Sequence, residues 1–164
     1  MVPFAGFEMP IQYESIKLEC QSVRNSCGIF DVSHMGEFLI TGRESANFVD
    51  YLITNDFLNA DLGKAVYSPM CNENGTIIDD LIAYKVSPEK ILLCVNSANI
   101  KKDWEWVNSQ INKFDCEISD LSPSTSLIAV QGPFAEKILR KLDILDNSET
   151  FPYYSVVENK IDND

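Results

Sequence analysis

Apolar and polar positions follow two distinct periods along this chain. Steps of three and four put Ile16, Cys20, Val23 and Cys27 on one helical face, with Ser15 as N-cap and Gly28 as stop. The same period marks "ESANFVDYLITND" as a short helix that points Ala46, Val49, Tyr51 and Leu52 at a core. Ile100, Trp104, Val107 and Ile111 form the stripe of a third helix that starts near Ser97. A fourth has Pro133 in its first turn and Ala135, Ile138, Leu139 and Leu142 as its stripe, and "LDNSET" ends it. Between the helices, "GEFLITG", "KAVYSPMC", "TIIDDLIAYKV", "ILLCVN", "DCEIS", "SLIAVQG" and a final "YYSVV" read as strands. Turn signals at 72–75 and at "SPEK" join neighbouring strands as hairpins. Hairpins with helices inserted between them predict an α+β fold with largely antiparallel sheets rather than βαβ alternation. The last strand is barely complete and lacks a hairpin partner, so the chain reads as continuing beyond Asp164.

One strand breaks the pattern. Asp79 and Asp80 sit in the middle of "TIIDDLIAYKV", and Asp is depleted in strands because its short side chain competes for nearby backbone groups. Neighbouring strand residues point to opposite faces. Asp79 shares a face with Leu81, Ala83 and Lys85; Asp80 shares one with Ile78, Ile82, Tyr84 and Val86. The Lys85 face is expected to be partly wet and the Asp80 face apolar. A carboxylate on an apolar face must be paired, hydrogen-bonded or shifted in pKa. Asp80 is thus read either as a structural acid accepting backbone N–H groups or as a tuned acid or base in a pocket.

Composition narrows the partners. The 164 residues are 45% apolar and 23% charged, which is ordinary for a globular chain, and the formal charge is −12. That charge speaks against nucleic acid and against an anionic membrane surface. Five cysteines without a C-x-x-C pair fit a reducing compartment and no zinc site. Cys20, Cys27 and Cys94 lie on apolar faces and are expected as buried, inert thiols. No stretch has the length or character of a signal peptide or a membrane span, so a soluble intracellular protein is expected.

Nothing else forms a recognisable catalytic motif. His34, in "FDVSHMGEF", lacks a G-x-S-x-G elbow and reads as a hydrogen-bonded structural histidine. Nucleotide loops and metal-ligand clusters are absent. Tyr67, Tyr84, Tyr153 and Tyr154 lie on or beside strands, and Tyr84 shares the face of Asp80. Tyrosines around a carboxylate suit a flat heteroaromatic ligand that needs stacking and one charge-assisted hydrogen bond.

Several stretches together resemble one family. "MVPFAGFEMPIQYESI", "FDVSHMGEFLITG", "LITNDF", "YSPMCNENGTIIDDLIAYKV", "VNSANIKKDWEW" and "SLIAVQGP" are similar to the aminomethyltransferases of the glycine cleavage system, the T-proteins, from Met1 to about Tyr154. The resemblance implies a folate-binding fold, with an incomplete folate-binding domain over 1–38 and 120–164 and an inserted ferredoxin-like α+β subdomain over 39–119. It implies transfer of a one-carbon unit from the aminomethyl-lipoyl arm of the H-protein to tetrahydrofolate. The products are 5,10-methylenetetrahydrofolate and ammonia. Asp80 becomes the key carboxylate beside the pterin. Met35, Leu39, Tyr67, Tyr84, Asn96 and Tyr154 become the folate contacts, Asp79 a structural neighbour, and no metal takes part. The implied site of action is the cytoplasm, or the mitochondrial matrix of a eukaryote. Two departures stand out: Phe7 where the family has Trp, and Thr76 where it has Gly. The family is also more than twice this length, which casts the chain as an N-terminal piece. The alternatives are a non-enzymatic folate-binding module or an inactive fragment of the same superfamily.

Overall fold

The computed structural model describes residues 1–146 and 150–160. The middle of the "LDNSET" break and the last four residues of the polar ending lie outside them. Two compact units share the chain. Among the described residues no helix is long and apolar enough to cross a membrane.

The first unit comprises Met1–His34, Ser126–Phe151 and Asn159–Asp164. It opens with a two-stranded hairpin, β1 (Val2–Phe4) and β2 (Phe7–Met9). Helix α1 (Ile16–Asn25) follows, and Glu19 folds back to accept the backbone N–H groups of Tyr13, Glu14 and Ser15. That collar satisfies the backbone donors leading into the helix, while the Ser15 side chain makes no cap bond of its own. Strand β3 (Gly28–Asp31) pairs antiparallel with β9 (Ile128–Gln131), and α4 (Ala135–Lys141) comes next. The helical stripe around α1 was expected to bury its thiols, yet Cys20 is exposed and Cys27 only half-buried. His34 also departs from expectation. Its Nδ1 has no hydrogen-bond partner, and the ring instead packs edge-on to Phe4 and beside Phe7, at centroid distances of 5.6 and 6.1 Å.

The second unit comprises Met35–Thr125 and Pro152–Glu158 and holds the core. Strands β4 (Gly36–Thr41), β5 (Ala65–Cys71), β6 (Ile77–Ser87), β7 (Lys90–Val95) and β8 (Glu117–Asp120) form one antiparallel sheet in the order β5-β6-β7-β4-β8. The mixed α/β pattern with antiparallel sheets is the one the hairpin signals predict. Helices α2 (Ser45–Leu52) and α3 (Ile100–Gln110) cover one face of the sheet. Phe38, Ile40, Leu81, Ala83, Ile91, Leu93 and Val95 from the strands meet Phe48, Val49, Leu52 and Val107 from the helices. The α2 stripe departs from the predicted one in two places: Phe48 is fully buried and Tyr51 is exposed.

The β5–β6 turn works as the sequence indicates. Gly75 adopts a φ of +77°, which favours glycine, and Asn72 Oδ1 accepts the N–H groups of Asn74 and Thr76. Thr76 needs no positive φ, so its side chain costs the turn nothing. The predicted terminal strand shrinks to a single bridge, Lys64 to Ser155. Tyr154 turns into the left-handed region at φ +54° just before that bridge and interrupts the expected strand near its start.

Candidate functional site

Strand β6 builds the site, and it reverses the expected burial of its two acids. The buried face carries Asp79, Leu81, Ala83 and Lys85; Asp79 is 4% exposed. Asp80 is exposed, on a face with half-buried Ile78, Ile82 and Tyr84. Period-two geometry separates the pair correctly, but Lys85 is a misleading marker of water. Its ammonium is buried and donates to the carbonyls of Phe57, Leu58 and Ala60 at 3.3, 2.9 and 2.8 Å. It caps a loop from inside the core, and the desolvation expected at Asp80 falls on Asp79.

Asp79 is held as a hydrogen-bonded anion. It accepts the Asn96 backbone N–H at 3.0 Å, Asn96 Nδ2 at 3.0 Å and Asn99 Nδ2 at 2.5 Å. Burial pushes its carboxyl upward. Hydrogen bonds from Asp103, Asn96 and Asn99 outweigh that and hold it below the usual carboxylate range. Asp103, from α3, is fully buried, and neither of its oxygens meets an N–H or a hydroxyl. Its neighbour is Asp79, itself an acceptor, so the two carboxyls can bond only if one carries a proton. Burial, then the Asp79 hydrogen bond and charge, push Asp103 up to about 8, against the pull of Lys102.

Asp80 is gripped from two sides. Tyr67 donates its hydroxyl to Asp80 Oδ2 in a short hydrogen bond. That bond, with desolvation after it, pushes the Tyr67 phenol above its ordinary value. Asn96 Nδ2 reaches Asp80 Oδ1 at 3.1 Å and the Asp80 carbonyl at 2.9 Å. Sheet register explains the Tyr67 contact. Tyr67 pairs with Ile82 across β5–β6, which puts it diagonal to Asp80 on one face.

The remaining expected residues are grouped less tightly. Leu39 and Tyr84 share a row of that face, joined through Leu92 of β7. Burial pushes the Tyr84 phenol upward, with the Cys94 and Tyr154 charges adding to it. Met35 is half-buried in the bend before β4, one residue ahead of the Gly36–Val95 pair and so level with Asn96. Tyr154 runs beside the start of β5, where its carbonyl accepts the Ala65 N–H at 2.9 Å. Tyr153 contacts Tyr154 edge-on and its carbonyl accepts Lys64 Nζ.

Three residues escaped the sequence reading. Asn99 follows Asn96 in the short 3-10 turn that leads into α3. Asp103 stands three after Ile100 and four before Val107, in the middle of the apolar stripe, and a charged residue there signals a buried partner. Glu37 of β4 lies level with Cys94 and Ile82 on the Asp80 face. It is 2% exposed with both oxygens unpartnered, and burial, with Asp120 adding, pushes its carboxyl upward. Burial and then Glu37 likewise push the Cys94 thiol up to about 11.

The corner thus offers a carboxylate, a phenol and an amide on the open face of a sheet, flanked by Leu39, Ile82 and Tyr84. Such a surface can seat a flat ring and exchange hydrogen bonds with one edge of it. The chain belongs to the GCVT N-terminal domain family, whose pattern it matches over residues 1–163. It is 56% identical over 155 residues to a protein named aminomethyltransferase from Thermotoga maritima, a match that covers 94% of this chain and 42% of that one. An aminomethyltransferase from Thermosipho melanesiensis is 51% identical over 161 residues, covering 98% of this chain and 44% of its own length. The crystal structure of the glycine cleavage system aminomethyltransferase T from Bartonella henselae superposes with a TM-score of 0.89 at 28% identity, over 97% of this chain and 43% of that one. The chain therefore spans well under half the length of these relatives.

Proposed function

We propose that this chain forms the tetrahydrofolate-facing part of an aminomethyltransferase of the glycine cleavage system. The reaction takes the aminomethyl group from the lipoyl arm of the H-protein and passes its one-carbon unit to tetrahydrofolate. Ammonia and 5,10-methylenetetrahydrofolate are the products, and dihydrolipoyl H-protein is released. The bacterial relatives favour the cytoplasm as the place of action.

One observation carries the reading: Asp80 is exposed, yet fixed by Tyr67 and Asn96 on an open sheet face. A carboxylate restrained from two sides has lost most of its rotamer freedom before any ligand arrives, which lowers the cost of binding. The role assigned to Asp80 is to accept a hydrogen bond from a folate nitrogen, orient it toward the incoming carbon, and take or return a proton there. Tyr67 and Tyr84 supply stacking area, and Leu39 and Met35 the apolar floor. The fold partition expected from the sequence is proposed alongside, with 39–119 as the insertion that presents Asp80.

Calorimetric titration with tetrahydrofolate tests the reading. Saturable binding is expected, and Asp80→Asn should weaken it by about 1.5–3 kcal/mol, the scale of one charge-assisted hydrogen bond. Equal binding by the wild type and Asp80→Asn overturns the role of Asp80, and an absence of binding overturns the proposal for this chain.

A further inference from the structure

Behind Asp80 lies a second acid that the proposed chemistry does not use. Asp103 projects from α3 into the core, fully buried, toward Asp79 on the inner face of β6. Asp79 is bonded to Asn96 through its backbone N–H and side-chain Nδ2, and the same Nδ2 reaches Asp80. Hydrogen bonds join Asp79, Asn96, Asp80 and Tyr67 in one line, and Asp103 stands beside its Asp79 end.

We propose that Asp103 is a positioning residue for the Asp80 corner: as a neutral acid it donates a hydrogen bond to ionised Asp79, which fixes Asn96, whose amide in turn orients Asp80. That this orientation serves folate rests on the reading above; the hydrogen-bonded line does not.

The chemistry of each member sets the direction. Asp79 has three N–H donors on its two oxygens, so the negative charge belongs there. Asp103 has none, so the core accommodates it as a neutral acid, and Asp79 beside it is an acceptor its proton can reach. Asn96 Nδ2 carries two protons for three acceptors, two of them on Asp80. Its orientation is fixed only while Asp79 remains an acceptor at the correct distance. Removing the Asp103 proton puts two anions face to face in the core, and the pair must separate or admit water. Asp79 from β6 and Lys102 from α3 itself are the charged groups whose fields reach Asp103. Lys102 is anchored on the Ile78 carbonyl at 2.5 Å and offsets the loss only in part.

The test reads Asn96 directly. In the full 164-residue chain, the Asn96 side-chain amide resonances in nitrogen-15 spectra should titrate with a midpoint near 8. Asp103→Asn keeps a donor toward Asp79 but has no proton to lose, so its Asn96 resonances should stay flat across the same range. Tetrahydrofolate affinity should fall about threefold or more from pH 7 to pH 9 in the wild type and not in Asp103→Asn. An Asn96 amide that does not titrate in the wild type, or titrates equally in Asp103→Asn, overturns the proposal. Should Asp103→Asn not fold, carbon-13 observation of the Asp103 carboxyl in the wild type decides alone: protonated at pH 7 supports it, ionised at pH 7 overturns it. A titrating Asn96 in a chain that binds no tetrahydrofolate upholds the hydrogen-bonded line and defeats only the folate reading.

Discussion

The Asn96 side-chain nitrogen bridges two carboxylates that point to opposite faces of one strand, reaching Asp79 Oδ1 at 3.0 Å and Asp80 Oδ1 at 3.1 Å. A single amide thus ties the buried side of β6 to its open side. Asn96→Ala removes the bridge and leaves Asp79 with two of its three donors. The expected cost is about 1–3 kcal/mol of stability, since a buried anion loses a hydrogen bond. Urea denaturation measures it, and calorimetry should show a parallel loss of tetrahydrofolate affinity.

Tyr67→Phe separates binding from stability. Tyr67 is 48% exposed, so loss of its hydroxyl should change stability by no more than about 0.5 kcal/mol. Tetrahydrofolate binding should nevertheless weaken as Asp80 regains rotamer freedom. In a phenolate absorbance titration of the wild type, Tyr67 and Tyr84 should both ionise above the ordinary value of 10; Tyr67→Phe should remove one of these late steps, Asp80→Asn should move it back toward 10, and the Tyr84 step should persist in both.

Lys85→Met probes the core alone. Its buried ammonium serves the carbonyls of Phe57, Leu58 and Ala60, and Met fills the same volume without donating. Leaving those carbonyls unsatisfied should destabilise the unit by about 2–4 kcal/mol, read as a lower urea midpoint. Binding under folding conditions should be unchanged, because Lys85 faces away from the Asp80 corner.

The buried acids give thermal stability a pH signature. Asp103 is raised from an ordinary 3.8 to about 8, so the folded state holds a proton that the unfolded chain gives up. Its contribution is full below about 3.8 and declines as pH rises to about 8. Asp79 is lowered, so its contribution is present above 3.8 and fades as pH falls through its folded value. The melting temperature should peak in mildly acidic solution and decline through neutrality. Asp103→Asn should flatten the alkaline side of the curve and leave the acid limb in place.

Most of the fold was legible because its signals are local. Turn chemistry at Asn72 and Gly75 fixes a hairpin, and the α3 stripe at Ile100, Trp104 and Val107 reports a core face by spacing alone. Which acid of β6 faces inward was not legible. The answer depends on Lys85 finding three carbonyls in the distant segment 57–60, a tertiary event without a local trace. Cys20 misled for a similar reason: helical spacing defines a face, but only packing decides whether that face is covered. Asp103 was legible in principle, since a charged residue inside an apolar stripe needs a partner. The end of the chain was the reverse case, where the run of β-formers at Tyr154 gives way to a left-handed residue.

The most direct measurement is a tetrahydrofolate titration of the nitrogen-15-labelled chain, following two side chains. The Asn96 amide reports on the Asp80 corner. The Trp106 indole reports on a separate cavity of about 450 Å³ lined by Tyr51, Cys71, Trp106 and Lys113. A saturating shift of Asn96 with Trp106 unmoved is the predicted result. A saturating shift of Trp106 with Asn96 unmoved would contradict the assignment of the folate face to Asp80.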